Sequence, residues 1–87
     1  MAKYNLLFKK SVAKDLRKIP NKDVKRILSC INTLCENPRA EGCIKLSGQE
    51  CYRVRQGLYR IVYEIQDSEL IIMVVTVAHR SDAYKSR

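Results

Sequence analysis

The feature that most constrains the fold is a run of alternating side chains interrupted by one glycine. Residues 51–55 (CYRVR) alternate, Gln56-Gly57 is a turn signal, and residues 58–65 (LYRIVYEI) alternate again. A period of two is typical of strands with one buried face, and glycine supplies the backbone conformation that a tight turn needs. The run therefore predicts a β-hairpin that turns at either Gln56-Gly57 or Gly57-Leu58.

The residues before this hairpin predict one strand and two helices. Residues 3–8 form a short strand pattern, and residues 38–49, with Pro38, Gly42 and Gly48, predict an irregular connection. Asn37-Pro38 ends the second helix, because proline disfavours a helical residue before it. Two sets of apolar residues recur at helical spacing: Val12, Leu16 and Ile19, then Val24, Ile27, Leu28, Ile31, Leu34 and Cys35.

After the hairpin comes an almost unbroken apolar run, residues 70–77, which predicts a central strand covered on both faces. The expected fold is thus α+β: an N-terminal strand, two antiparallel helices and a three-strand antiparallel meander, with the helices on one face of the sheet. At 87 residues, a single domain spanning positions 1–87 is expected.

Charge limits the choice of partner. The chain has 17 Lys and Arg against 9 acidic residues, a net charge of +8 and a pI near 9.6. Such an excess favours a polyanion or an acidic protein as partner. No apolar run reaches the length of a membrane span, so we expect a cytoplasmic protein without a membrane partner.

Four cysteines are present, and no two of them form a C-x-x-C pair. The only histidine, His79, is distant in sequence, so we expect no metal, no other cofactor and reduced thiols.

Three arginines give the chain its candidate site. Side chains alternate across a strand, so Arg53, Arg55 and Arg60 share one face under either turn. Like charges across a strand pair are destabilising, whereas guanidinium groups match phosphate geometry with paired hydrogen bonds. The simpler alternative is that they are ordinary exposed strand arginines, or that Glu50 and Glu64 pair with them.

The C-terminal tail is expected to add to this site. The third strand runs antiparallel to the second, so its end lies beside the arginine hairpin. Arg80, together with His79 and Tyr84, is therefore expected at one edge of the basic face. A histidine can pass protons and a tyrosine can stack on a base. In the simpler alternative, His79 is a surface or capping residue and Tyr84 a packing aromatic.

The segment YRVRQGLYRIVY at residues 52–63, the apolar strand after it and HRSDAY at residues 79–84 resemble the RelE/ParE toxin superfamily. KDLRKIP, NPR and KLSG upstream also resemble it, so the likeness covers essentially the whole chain. The hairpin motif is fairly specific for the superfamily and less specific for an activity.

The resemblance implies a RelE-type toxin of a type II toxin–antitoxin system. Such toxins enter the ribosomal A site and cleave messenger RNA through attack of a ribose 2′-hydroxyl on the adjacent phosphate. By this likeness, Arg60 and Arg80 hold the scissile phosphate and Tyr84 orients a base. The remaining RNA-binding residues are expected to be Arg53, Arg55, Lys45 and Lys85.

One departure from the family concerns proton transfer. Well-known members carry lysines at the positions of Arg53 and Arg55, and arginine hardly ever deprotonates. His79 is then the best candidate for moving protons, with Tyr84 and ribosomal groups as alternatives.

The family further implies a RelB-like antitoxin, contact with the ribosome and mRNA, and operator DNA bound only through the antitoxin complex. The competing hypotheses are a ParE-like DNA gyrase inhibitor and a non-catalytic RNA- or antitoxin-binding homologue.

Overall fold

A computed structural model describes residues 3–39, 41–46 and 51–79 of the chain. It contains strand β1, two helices, four further strands and one 3₁₀ turn. The elements are β1 (Asn5–Phe8), α1 (Lys10–Arg17), α2 (Asn21–Glu36), β2 (Ile44–Lys45), β3 (Cys51–Gln56), β4 (Tyr59–Gln66), the 3₁₀ turn (Asp67–Glu69) and β5 (Ile71–His79).

The strands form one mixed five-stranded sheet in the order β1-β5-β4-β3-β2. The meander β3-β4-β5 is antiparallel, and β1 pairs in parallel with β5. The predicted α+β class is confirmed. The predicted strand count was wrong, because the segment expected to be irregular contributes the two-residue strand β2 along β3.

The core lies between the sheet and both helices, which is the arrangement expected from the sequence. A single buried cluster joins residues from the two helices to alternate residues of β3, β4 and β5. Its members are Val12, Ile27, Ile31, Leu34, Tyr52, Ile61, Tyr63, Ile65, Ile72, Val74 and Val77. The strand members alternate along β4 and pair with one another across β3, β4 and β5, so they all lie on one face of the sheet, here called the helix face.

Two stacked tyrosines anchor the middle of this core. The rings of Tyr52 and Tyr63 lie opposite each other on β3 and β4, with centroids 5.9 Å apart. The buried hydroxyl of Tyr63 donates a hydrogen bond of 2.7 Å to the carbonyl oxygen of Pro38. The stack therefore ties the segment after α2 to the centre of the sheet, and burial raises the pKa of Tyr63 far above its ordinary value.

The expectation that β5 is covered on both faces holds only in part within the described residues. Ile72, Val74 and Val77 are buried, whereas the other residues of β5 are only half-buried. The helices cover one face of β5, and the described residues leave the other partly open. None of the described helices is both long enough and apolar enough to span a bilayer.

Candidate nucleic-acid interface

The hairpin register places two arginines directly opposite each other. Gly57 and Leu58 form the turn, so Arg55 lies opposite Arg60 and Arg53 lies opposite Val62. Gly57 has a φ of +61° as the first central residue, as in a type II′ turn, where glycine avoids the strain other residues meet. Of the two turns the sequence left open, the chain uses the second.

All three arginines therefore project from the face of the sheet turned away from the helices, here called the arginine face. Arg55 is exposed, whereas Arg53 and Arg60 are half-buried. The Nε atom of Arg53 is buried and has no hydrogen-bond partner among the described residues. Removing such a donor from water without a partner is unfavourable, so an incoming acceptor would stabilise it.

Carboxylates do not neutralise the exposed part of this face. Within residues 3–39, 41–46 and 51–79, neither Arg53 nor Arg55 forms an ion pair. Glu64 shares the face but lies opposite Cys51. Glu50, the other acid considered from sequence, lies outside the described residues. The face thus carries positive charge with the geometry to accept an anion.

Strand β5 supplies small uncharged neighbours for the arginines. Ala78 lies opposite Arg60, and Thr76 lies opposite Val62. A register irregularity between Val62 and Tyr63 leaves Val75 as the extra residue of a bulge. Sequence analysis did not single out Thr76 or Ala78, because finding them requires the β4–β5 register, which the uniformly apolar run conceals.

His79 lies at the expected end of the sheet but on the wrong face for the prediction. It stands opposite Tyr59 on the helix face, with ring centroids 5.4 Å apart and ring planes 87° apart. The expected position beside the arginines is therefore wrong. The physical reason is strand alternation: Ala78 faces the arginines, so the next residue faces the helices.

The other predicted residues divide into two groups. Lys45 is exposed on β2 but stands opposite Tyr52, which puts it on the helix-face side of this edge strand, apart from the arginines. Arg80, Tyr84 and Lys85 lie outside the described residues.

A groove of about 530 Å³ opens on the helix face where β5 extends beyond the end of β1. β1 pairs with Ile71–Val74, and no other strand among the described residues lies beside the later part of β5 on that side. Helix α1 fills the gap: Oδ2 of Asp15 accepts a hydrogen bond of 3.3 Å from the backbone N–H of Val77. His79 and Tyr59 line the same groove.

A polar network links the residue before β1, the segment after α2, strand β3 and the 3₁₀ turn. Arg39 donates to both carboxylate oxygens of Asp67, at 3.3 and 2.8 Å, and from Nε to the hydroxyl of Tyr52 at 3.0 Å. The hydroxyl of Tyr4 donates to the same carboxylate at 2.6 Å. Hydrogen bonds from Arg39 and Tyr4 lower the pKa of Asp67, and the bond to Asp67 raises that of Tyr4.

The cysteines are free thiols, and burial raises the pKa of Cys30, Cys35 and Cys51. Thiols held protonated in this way are poor nucleophiles and poor metal ligands. The described residues contain no group of three His, Cys, Asp or Glu side chains able to hold a metal ion.

The sequence model of the ParE toxin of the type II toxin–antitoxin system parDE matches residues 6–84. This match gives the class of the chain, a toxin of a type II toxin–antitoxin system. The chain belongs to this family, within which its relatives are named RelE toxins.

Three comparisons illustrate the relationship. A chain designated toxin RelE1 from Methanocaldococcus jannaschii is 36% identical, covering 97% of this chain and 98% of its own. The mRNA interferase toxin RelE of Escherichia coli K12 is 30% identical, covering 93% and 90%. The toxin–antitoxin complex RelBE2 from Mycobacterium tuberculosis contains a chain with a TM-score of 0.82 and 25% identity, covering 94% and 97%.

Proposed function

We propose that the chain is a ribosome-dependent endoribonuclease that cleaves messenger RNA in the A site. The observation that carries the proposal is the arginine face, on which Arg55 lies directly opposite Arg60 and neither Arg53 nor Arg55 is paired with a described carboxylate. The E. coli relative at 30% identity is named as an mRNA interferase, which supports the same activity.

The reaction is an internal phosphoryl transfer. The 2′-oxygen of the ribose bonds to phosphorus while the bond to the 5′-oxygen of the next nucleotide breaks. The 2′-hydroxyl loses its proton and the leaving oxygen gains one, giving a cyclic phosphate and a 5′-hydroxyl. Negative charge builds on the non-bridging oxygens, where guanidinium groups stabilise it most effectively.

Arg60 is proposed to bind the scissile phosphate with Arg80, which follows two residues after Ala78, the β5 residue opposite Arg60. Arg53 and Arg55 bind neighbouring phosphates, and Tyr84 stacks on or orients a base. Lys45 and Lys85 are proposed to add charge along the RNA path. His79 remains the candidate proton carrier. Because its side chain lies on the helix face and not beside the arginines, this role needs a direct test.

A RelB-like antitoxin is proposed as the controlling partner. The M. tuberculosis chain with this fold was solved as a toxin–antitoxin complex. The net charge of +8 suits an acidic wrapping segment, and operator DNA would be bound only through that complex. The proposed site of action, on translating ribosomes, is the cytoplasm.

The experiment is controlled expression of the toxin followed by primer extension on a translated message. Wild type should cut within codons, whereas Arg60→Ala and Arg80→Ala should lose the cuts and the growth arrest while still folding, as a cooperative thermal melt would show. Lys3→Ala is the control for removing an exposed cation away from the arginine face. Retained cleavage in both arginine variants would refute the assignment.

His79→Ala in the same assay decides the proton carrier. If His79 moves a proton, cleavage slows and its pH dependence changes. If cleavage keeps its rate and pH profile, Tyr84 or a ribosomal group carries the proton instead.

A second function is favoured by one observation, because the matching family model is that of ParE. A ParE-like inhibitor of DNA gyrase would cause DNA damage and filamentation with intact transcripts. A non-catalytic RNA- or antitoxin-binding homologue would bind RNA with steep salt dependence and leave translated messages uncut.

A further inference from the structure

Two of the four free thiols lie together between helix α2 and the edge strand β2. Cys30 is in the middle of α2, and Cys43 is the residue immediately before β2. Both side chains are half-buried, and both pack against the core cluster between the sheet and the helices. Neither thiol takes part in the reaction proposed for the arginine face, so the pair has no role in that function.

The strand register places Cys43. Strand β2 runs antiparallel to β3, with Lys45 opposite Tyr52 on the helix-face side. Two residues before Lys45, Cys43 faces the same way, and continuing the register sets it beside Val54 of β3. The side chain of Cys43 is also in contact with the hydroxyl of Tyr63, so this thiol lies at the edge of the core.

Helix α2 brings Cys30 to the same part of the molecule. Cys30 lines a groove of about 370 Å³ together with Gln56, which is two residues after Val54 on the same face of β3. The groove opens the thiol to solvent. Cys30 also interacts electrostatically with both Cys43 and Tyr63, which agrees with this placement.

The other two thiols lie elsewhere. The backbone carbonyl of Cys35 accepts a hydrogen bond from the N–H of Tyr4, which places this residue near the start of β1. Cys51 lies opposite Glu64 on the arginine face, so the sheet separates it from α2. The remaining two cysteines are therefore the pair that the fold brings to one place.

We propose that Cys30 and Cys43 form an oxidation site, at which a peroxide joins the two thiols in a disulfide bond between α2 and the start of β2. One thiol takes an oxygen atom from hydrogen peroxide, giving a sulfenic acid and one water. The second sulfur then bonds to the first, the S–O bond breaks, and the oxygen leaves with the thiol proton as a second water. The two sulfurs are oxidised and the peroxide is reduced. This goes beyond the cleavage proposed above and does not depend on it.

The bond would stabilise the folded chain. It closes a loop through residues 31–42, which restricts the unfolded chain. The same loop contains Pro38, whose carbonyl accepts the buried hydrogen bond from Tyr63, so the bond and the core hold the same segment. Because burial raises the pKa of Cys30, oxidation should be slow at neutral pH and need an excess of peroxide.

The test is oxidation of the folded, full-length chain by excess hydrogen peroxide. The remaining thiols are then alkylated, and the chain is digested with trypsin without reductant for mass spectrometry. Peptides 27–39 and 40–45 should be joined within one chain, and two of the four thiols should no longer react with a thiol reagent. The melting temperature should rise by at least about 5 °C. Dithiothreitol should reverse all three changes.

Three variants identify the pair, because peptide 27–39 contains both Cys30 and Cys35. Cys35→Ala and the control Cys51→Ser should keep the link and the rise in melting temperature, whereas Cys30→Ser should lose both. Peptides that stay separate in oxidised wild type would overturn the proposal, and this result needs no variant to fold. So would a link that persists in Cys30→Ser, that disappears in Cys35→Ala or Cys51→Ser, or that joins two chains.

Discussion

The Cα atoms of Arg55 and Arg60 face each other across the β3–β4 hairpin, two residues from its tip. A directly opposed like-charge pair is unfavourable in a sheet. Its presence in a strand pair that otherwise follows the rules of a hairpin supports the phosphate-binding site proposed for this face. A phosphate bound between the two guanidinium groups would relieve their repulsion.

Arg55→Thr should therefore make the free protein more stable. We expect a gain of about 0.5 kcal/mol in the free energy of unfolding, because the opposed charge is gone and threonine suits a strand. Urea denaturation at low and at high salt measures this free energy, and the gain should be smaller at high salt because salt screens the repulsion. Arg55→Lys keeps the repulsion and is the control. A destabilised Arg55→Thr protein would contradict the account.

Removing the Tyr63 hydroxyl should weaken the core. Tyr63→Phe leaves the Pro38 carbonyl without its buried donor, and we expect a loss of about 1–3 kcal/mol in the free energy of unfolding. Chemical denaturation measures the change. Tyr59→Phe is the comparison, since its 3.4 Å bond to Asp23 is longer and only partly buried, and it should cost less. Equal losses in both variants would argue against the buried bond.

Asp15→Ala should free the backbone N–H of Val77 at the open edge of β5. We expect a loss of about 1 kcal/mol, together with a greater tendency to associate, because unpaired strand edges template pairing with other chains. Asp15→Asn keeps an oxygen acceptor and should be milder. Denaturant midpoints and light scattering test both effects, and identical behaviour of the two variants would refute the role of the carboxylate oxygen.

The Arg39–Asp67 pair should make stability depend on acid. Hydrogen bonds lower the pKa of Asp67 in the folded protein. The contribution of Asp67 to the free energy of unfolding is thus fully present above the pKa of an unfolded aspartate, about 3.9. It is lost as the pH falls through the lowered pKa that Asp67 has in the folded protein. The gap in melting temperature between wild type and Asp67→Asn should be largest at neutral pH and close in strong acid.

Glu69→Gln supplies the comparison for this prediction, since it removes a second exposed carboxylate from the same 3₁₀ turn. The melting temperature of that variant should change with pH in the same way as that of wild type. A gap for Asp67→Asn that stays constant from neutral to acidic pH would show that the carboxylate contributes through packing alone.

Much of the fold could be predicted because its elements carry strong periodic signals. The apolar stripe of α2 and the alternation of β3 and β4 each specify one buried face, and Gly57 marks the turn between the strands. The two-residue strand β2 carries no periodic signal of its own. The parallel pairing of β1 with β5 is a long-range contact that no local pattern encodes.

The site was predictable to the same extent. Alternation alone put Arg53, Arg55 and Arg60 on one face, since their strands are adjacent in sequence. The face of His79 depended on the register of β5, whose apolar run hides its alternation and contains a bulge at Val75. The acceptor role of Asp15 needed three-dimensional proximity between α1 and β5, which lie far apart in the chain.

The bond from Val77 to Asp15 also links two parts of the molecule that could otherwise move separately. A strand amide is normally shielded from solvent by its neighbouring strand, but this one depends on a helix staying docked. Its hydrogen-exchange rate therefore reports the detachment of α1 directly. If that amide exchanges as slowly as those at the centre of the sheet, helix and sheet open together as one cooperative unit.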